Sequence, residues 1–162
     1  MKILTRIKIS TLLFLLSACA ILPTSREDIQ EQLKKPITKQ LNPFFSDGCS
    51  KWPDGTKDKP NIWLICCFNH DKAYWLGGTK EEKFEADDKL RMCVKEHFSA
   101  SMGILMYLGV AVGGIPDYKT DYRWGFGWNY DRGYLKVTEE ERAYATKLLP
   151  KKEESMWKYI KK

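Results

Sequence analysis

The spacing of hydrophobic positions changes several times along the chain, and each change predicts a different element. Residues 9–16 form an apolar run behind Lys2, Arg6 and Lys8. A charged start before a run too short to span a bilayer permanently predicts an export signal over residues 1–18. Residues 19–41 are mostly polar and charged and are interrupted by Pro23 and Pro36, which reads as a tether with a short helix between the prolines. The domain is expected over residues 42–162. It opens with a loop at 42–59, rich in the turn formers Asp47-Gly48, Pro53-Asp54-Gly55 and Asp58, with Trp52 as the large apolar group in its middle.

Helical spacing follows. A first helix is predicted over 61–76, with Pro60 and Asn61 suiting its start and Gly77-Gly78 its stop. A second is predicted over 79–99, where Thr79 and Glu82 form a capping-box pattern. The connection is short, so the two helices should be antiparallel neighbours. In an antiparallel pair, His70 with Asp87, Tyr74 with Asp87 and Cys66 with Cys93 all fall within about one turn of a single register. Cys66, His70, Ala73 and Tyr74 share a face of the first helix, and Ala86 and Cys93 share one of the second. The sequence thus brings a carboxylate to a histidine and a cysteine to a cysteine.

Residues 100–115 are apolar and glycine-rich, which reads as a core segment or one that contacts a membrane. Trp124, Phe126, Trp128 and Tyr130 alternate with Gly125, Gly127 and Asn129, the periodicity of a strand or hairpin with its aromatics on one face. Those aromatics read as core, or as a rim at lipid-headgroup level. Thr138 and Glu141 form a second capping box that opens a charged helix over 138–149. The lysine-rich stretch after Pro150, with Met156, Trp157, Tyr159 and Ile160, reads as a small surface-seeking helix or as a solvated, frayed segment.

Composition narrows the class. The chain has 162 residues with 27 basic and 21 acidic ones, a net charge of +6. Removing the signal with its three basic residues leaves 24 against 21, or +3, too mild for a nucleic-acid partner. Roughly 144 residues then remain, enough for one domain with a modest core. Leu16-Ser17-Ala18-Cys19 is similar to a bacterial lipobox, which implies cleavage before Cys19 and its lipidation; an ordinary signal or a membrane helix with a chance cysteine is the alternative. Two or more acyl chains make a stable anchor. Ala20 after the cysteine favours an outer-membrane destination, periplasmic or surface-facing.

With Cys19 lipidated, four of the five cysteines remain: Cys49, Cys66, Cys67 and Cys93. An even number in an oxidising compartment points to two disulfides. A zinc site with His70 is the rival, disfavoured because adjacent Cys66 and Cys67 point about 100° apart on a helix.

Cys66-Cys67-Phe68-Asn69-His70-Asp71-Lys72-Ala73-Tyr74, followed by Asp87-Asp88-Lys89-Leu90-Arg91-Met92-Cys93 on a second helix, resembles the secreted phospholipase A2 superfamily. With Asp47-Gly48-Cys49-Ser50, the match is to its atypical branches rather than the venom and pancreatic type. The likeness covers about a third of the mature chain. It implies a mainly α fold built on two antiparallel, disulfide-linked helices, a calcium loop, and a small aromatic β or irregular segment.

It also implies roles. His70 would be the general base that takes a proton from water, Asp87 would fix its tautomer, and Tyr74 would hydrogen-bond Asp87. Asp71 would ligate Ca²⁺ with carbonyls of the loop around Gly48, Ser50 and Trp52. Cys66 would pair with Cys93, and Cys67 with Cys49. The implied activity is calcium-dependent hydrolysis of the sn-2 ester of glycerophospholipids at a membrane, by a monomer.

The chemistry asks for the same parts: histidine titrates near neutral pH and activates water, and a hard cation held by oxygens serves an oxyanion and a phosphate. Two departures stand out. A further disulfide often present between these helices is replaced by Ala73 and Ala86. The glycine-rich run of the calcium loop is replaced by Ser50-Lys51-Trp52-Pro53-Asp54-Gly55. A lipid- or protein-binding module on the same scaffold, or a structural envelope lipoprotein, are the competing classes; His70, Asp71 and Asp87 would then be a buried hydrogen-bonded trio. Asp88 is the near rival of Asp87, and His97 is expected to have no role.

Overall fold

The computed structural model describes residues 25–151 and 153–161. The predicted signal, Cys19 and the start of the tether lie outside the described residues. Five α-helices make up the framework: α1 (Arg26–Leu33), α2 (Leu64–Leu76), α3 (Lys80–His97), α4 (Ala100–Gly113) and α5 (Glu139–Leu148). The fold is mainly helical. Among the described residues no β-strand forms, and no helix is long and apolar enough to cross a membrane.

The caps explain most of the helix boundaries. Thr79 accepts from the Glu82 amide while the Glu82 carboxylate accepts from the Thr79 amide, and Thr138 and Glu141 repeat the arrangement at α5. Each such box satisfies two amides that a helix start leaves without partners. The first long helix differs from its expected bounds. It begins at Leu64, not near Asn61, because the loop holds Trp63 out of helical geometry. The Trp63 amide donates to the Asp54 carbonyl at 3.2 Å, and its buried indole donates to the Pro53 carbonyl at 2.7 Å. Gly77 and Gly78 stop the helix as expected.

α2 and α3 are joined by the Cys66–Cys93 disulfide near one end and by contacts of Asp87 with His70 and Tyr74 farther along, an antiparallel order. The Cys49–Cys67 disulfide ties the preceding loop to α2. Ala73 and Ala86 pack with Tyr74 and Trp124, so the interface closes with small side chains where the expected extra bridge is missing.

α4 follows α3 after a two-residue turn capped by Ser99. It crosses α3 closely at Gly103, where a Cβ would stand 2.5 Å from the Arg91 carbonyl oxygen. α4 is only partly core. Met106 is buried, but Ile104, Leu105, Leu108 and Val112 are about half exposed or more and form a stripe at helical spacing.

The aromatic stretch 124–130 corrects the strand expectation. It is a series of turns that seals the end of α2. The Gly125 and Gly127 amides donate to the carbonyls of Tyr74 and Trp75, and the Trp128 indole donates to that of Leu76. The Trp124 indole reaches the Gly78 carbonyl at 2.8 Å. A helix end leaves four carbonyls without intrahelical partners. Here that demand, rather than pairing of strands, shapes the segment. Trp124, Trp128 and Tyr130 are buried, so they act as core.

The flanks pack more than their composition implied. Gln40 and Leu41 are buried, and Leu41 bridges to Trp128. α1 does fall between the two prolines. At the other flank, Tyr159 and Ile160 pack against the cluster of Phe44, Phe68 and Trp75, and the segment pairs in parallel with Ser46. Met156, Tyr159 and Ile160 thus belong to the edge of the core, while Trp157 stays exposed. A 3₁₀ turn at Glu153–Lys158 leads into it.

Gly103→Ala is expected to destabilise the protein by about 1–3 kcal/mol, because the methyl would push α4 off α3. Urea unfolding measures this; an unchanged midpoint would mean the two helices separate at little cost.

Candidate active site

The face of α2 carrying Cys66, His70 and Tyr74 turns toward α3, and Asp87 lies opposite with no solvent exposure. His70 Nε2 stands 2.9 Å from Asp87 Oδ1, and the Tyr74 hydroxyl donates to the same oxygen at 2.7 Å. Lys83, itself buried, donates from Nζ to Asp87 Oδ2 at 2.8 Å. Burial alone would raise the Asp87 pKa, but the donors His70, Lys83 and Tyr74 outweigh it and hold the carboxyl below its usual range. Burial lowers the His70 pKa, and the opposing pull of Asp87 does not restore it. Tyr74 is pushed well above its ordinary value by burial and by the Asp87 charge beside it. The site at rest is therefore a carboxylate, a neutral imidazole and a neutral phenol. With Nε2 turned to Asp87, the nitrogen left to act is Nδ1.

Lys83 was invisible to the reading of motifs. A signal for it does exist. Positions 83, 86, 87, 90 and 94 follow the spacing of the inner face of α3, and Ala86, Leu90 and Val94 are buried. A lysine in that row, four residues before the aspartate, marks a buried ion pair. Asp88, the rival carboxylate, instead pairs with Arg91 toward solvent. His97 Nδ1 lies 2.9 Å from the Cys93 carbonyl oxygen and 3.8 Å from the sulfurs of Cys66 and Cys93. Those sulfurs are bonded to each other, so the trio offers no thiolate to a metal. Among the described residues no zinc site forms with His70 either, since Cys49, Cys66, Cys67 and Cys93 are all in disulfides.

Asp71, next along α2, faces the loop. Its Oδ2 accepts from the Ser46 hydroxyl at 2.5 Å, and that hydroxyl accepts in turn from the Gly48 amide. Ser46 is fully buried and is fixed from behind: its amide donates to the Tyr159 carbonyl, and its carbonyl accepts from the Lys161 amide. Burial raises the Asp71 pKa well above the ordinary carboxylate value; the Ser46 bond opposes this, and the charges of Asp47 and Asp54 add to it. A buried carboxylate with one hydroxyl donor and acidic neighbours carries charge that a cation would balance.

The loop is built from left-handed residues and a tight closure. Ser50 has φ of 54°, and a Cβ on Gly48 would meet Asp54 Oδ1 at 2.3 Å. Asp54 Oδ1 accepts from the Cys49 amide. Among the described residues no three carboxylates converge closely enough to share one ion. What the wall beside Asp71 offers is a carboxylate and backbone oxygens, with Cys49 and Cys67 taken up in a disulfide. That set fits a hard divalent cation such as Ca²⁺ and not a soft one.

These pieces line one cavity of about 220 Å³. Gly48, Cys49, Ser50, Lys51 and Trp52 form one wall; His70, Asp71 and Tyr74 form the floor; Leu105, Met106, Gly109, Val110 and Gly113 of α4 form the opposite wall. The structure thus gathers the candidate catalytic and loop residues at one place: His70, Asp87 and Tyr74 in mutual contact, Asp71 beside the loop, and Gly48, Ser50 and Trp52 on the rim. Ser46, behind Asp71, and the α4 wall carry no motif that marks them as parts of the site. No family model, curated protein or solved structure matches this chain.

Because folded Asp71 holds its proton more tightly than the unfolded chain does, folding loses stability as pH rises above the ordinary value of 3.8, unless a cation offsets the charge. In chelator at pH 7, Asp71→Asn should therefore raise the melting temperature by roughly 3–6 °C. In millimolar calcium the parent should gain stability and the variant should not. A variant no more stable than the parent in chelator would mean the buried charge is already compensated within the chain.

Proposed function

We propose that this protein is a calcium-dependent lipid hydrolase of phospholipase A2 type that cleaves the sn-2 ester of glycerophospholipids. The observation that carries the reading is the His70–Asp87 pair set into the floor of a cavity whose other walls are a carboxylate-bearing loop and an apolar helix. In this reading, His70 Nδ1 takes a proton from a water molecule as that water attacks the ester carbonyl. Asp87 holds the tautomer and stabilises the imidazolium that forms, and Tyr74 keeps Asp87 in place. A positioned base of this kind contributes about 10²–10⁴ in rate.

Asp71 and carbonyls of the loop around Gly48, Ser50 and Trp52 would hold the cation. When bound, calcium would supply a Lewis acid and a counter-charge for phosphate. In the loop, the amides of Gly48, Cys49 and Trp52 already donate to Ser46, Asp54 and the Cys49 carbonyl. Those of Ser50 and Lys51, on the cavity wall, are the donors left for an oxyanion. The Lys51 side chain, also at the rim, suits an anionic headgroup. The acyl chains fit the α4 wall, and the exposed stripe of Ile104, Leu105, Leu108 and Val112 continues that wall outward as a contact for the lipid surface. The lipid anchor inferred at Cys19 would hold the protein at a membrane.

One observation favours the alternative, a non-catalytic lipid- or protein-binding module. The amides of Gly48, Cys49 and Trp52 are spent on the loop's own closure, which leaves the oxyanion to those of Ser50 and Lys51 alone.

Turnover separates the two. Fatty-acid release from phospholipid vesicles should occur with calcium, stop in chelator, and vanish in His70→Gln, which should still bind calcium. Calcium binding without release in the parent would favour the binding module, and release undiminished in His70→Gln would sink the base assignment. Leu108→Asp should weaken vesicle binding by about tenfold or more while leaving hydrolysis of a dispersed short-chain substrate intact. Equal binding would remove α4 from the lipid contact.

A further inference from the structure

One oxygen of the Asp87 carboxylate meets the histidine. Here the other oxygen carries the distinctive feature. Asp87 Oδ1 serves both His70 and Tyr74, while Oδ2 has Lys83 Nζ at 2.8 Å. Both partners of that ion pair are essentially inaccessible, at 1% and 0% exposure. The Lys83 ammonium has a second acceptor at 3.2 Å, the carbonyl of Val110 on α4, and lies 5.3 Å from the centre of the Tyr74 ring. Val110 lines the cavity.

We propose that Lys83 is a positioning residue of this site: its ammonium fixes the Asp87 carboxylate in the rotamer that presents Oδ1 to His70 and fastens that carboxylate to the α4 wall. The inference rests on the hydrolase reading for its kinetic consequence only. The physical case has three parts. A carboxylate bonded through one oxygen alone can turn about its last torsion and exchange its oxygens, and Lys83 removes that freedom by bonding the second. A buried carboxylate also needs a counter-charge, and the lysine provides one that does not take part in proton transfer. Finally, Val110 O is a fixed point on α4, so the same ammonium sets the distance between the dyad and the apolar wall. An apolar residue at position 83 would leave Oδ2 buried and unsatisfied, which costs more than the bond itself contributes, and a glutamine would lack the counter-charge.

The test uses the full chain with Lys83→Met and Lys83→Gln. The ¹⁵N shifts of the His70 ring at pH 8.5 report the tautomer, and kinetics with calcium report kcat and KM separately. In the parent, His70 should show one tautomer with the proton on Nε2. In the variants the tautomers should mix, and kcat should fall by about 10–100-fold. KM should stay within about twofold and calcium affinity should not change. A folded variant with a single tautomer and the parent's kcat overturns the proposal, as does a matched loss of kcat, KM and calcium affinity, which would mark a merely structural lysine.

If neither single variant folds, Lys83→Met combined with Asp87→Asn removes the buried charge together with its partner, and is compared with Asp87→Asn alone. Equal kcat and equal tautomer mixtures support action through Asp87, and a further fall overturns it. Should the parent release no fatty acid, the hydrolase reading fails while the tautomer measurement still decides the role of Lys83.

Discussion

Asp87 places a carboxylate where no solvent reaches it. A bare charge with no solvent contact is not tolerated in a protein interior unless donors surround it. Three side chains meet that demand, from two helices: His70 and Tyr74 of α2 and Lys83 of α3. The requirement fixes the register of α2 against α3, and the Cys66–Cys93 bridge locks the same register covalently. It also draws in α4, since the lysine and the Val110 carbonyl must come within bonding distance. Gly103 permits this by letting α4 lie close on α3. The apolar wall of the cavity is thus held in place by the same charge that orients the histidine.

Beside this compensated charge sits an uncompensated one. Asp71 is as buried as its neighbour His70, yet its bonded partner is a single hydroxyl, and the nearby charges of Asp47 and Asp54 are of its own sign. The contrast between the two aspartates is the electrostatic logic of the proposed site: one carboxylate is balanced by donors within the fold, and the other is the one a cation would balance. The disulfide from Cys49 to Cys67 and the Asp54 bond to the Cys49 amide keep the loop stiff around it.

Much of this was legible because it is local or periodic. The capping boxes at Thr79 and Thr138, the stop at Gly77-Gly78 and the Cys66–Cys93 pair follow from spacing, which also brings His70, Tyr74 and Asp87 into one register; the Cys49–Cys67 pair was implied by the family resemblance alone. What was not legible depends on distant partners. The 124–130 stretch alternates like a strand, yet its amides and indoles answer the unpaired carbonyls at the end of α2, a demand that arises only once the helix is placed. Trp63 shortened α2 because a loop carbonyl claimed its indole. Lys83 reads as one more surface lysine until the row of Ala86, Leu90 and Val94 is followed back to it. Ser46 and its pairing with Tyr159 carry no local pattern at all.

That last pairing has a kinetic meaning. Ser46 and Tyr159 are roughly 110 residues apart, so their contact carries one of the largest loop-closure costs in the fold and belongs among the late ones to form. The helical hairpin of α2 and α3, built from near neighbours, has no such delay. The histidine and its aspartate can therefore meet while the Ser46 hydroxyl is still unplaced, and Asp71 gains that donor in its final position only when residues 159–161 dock against Ser46.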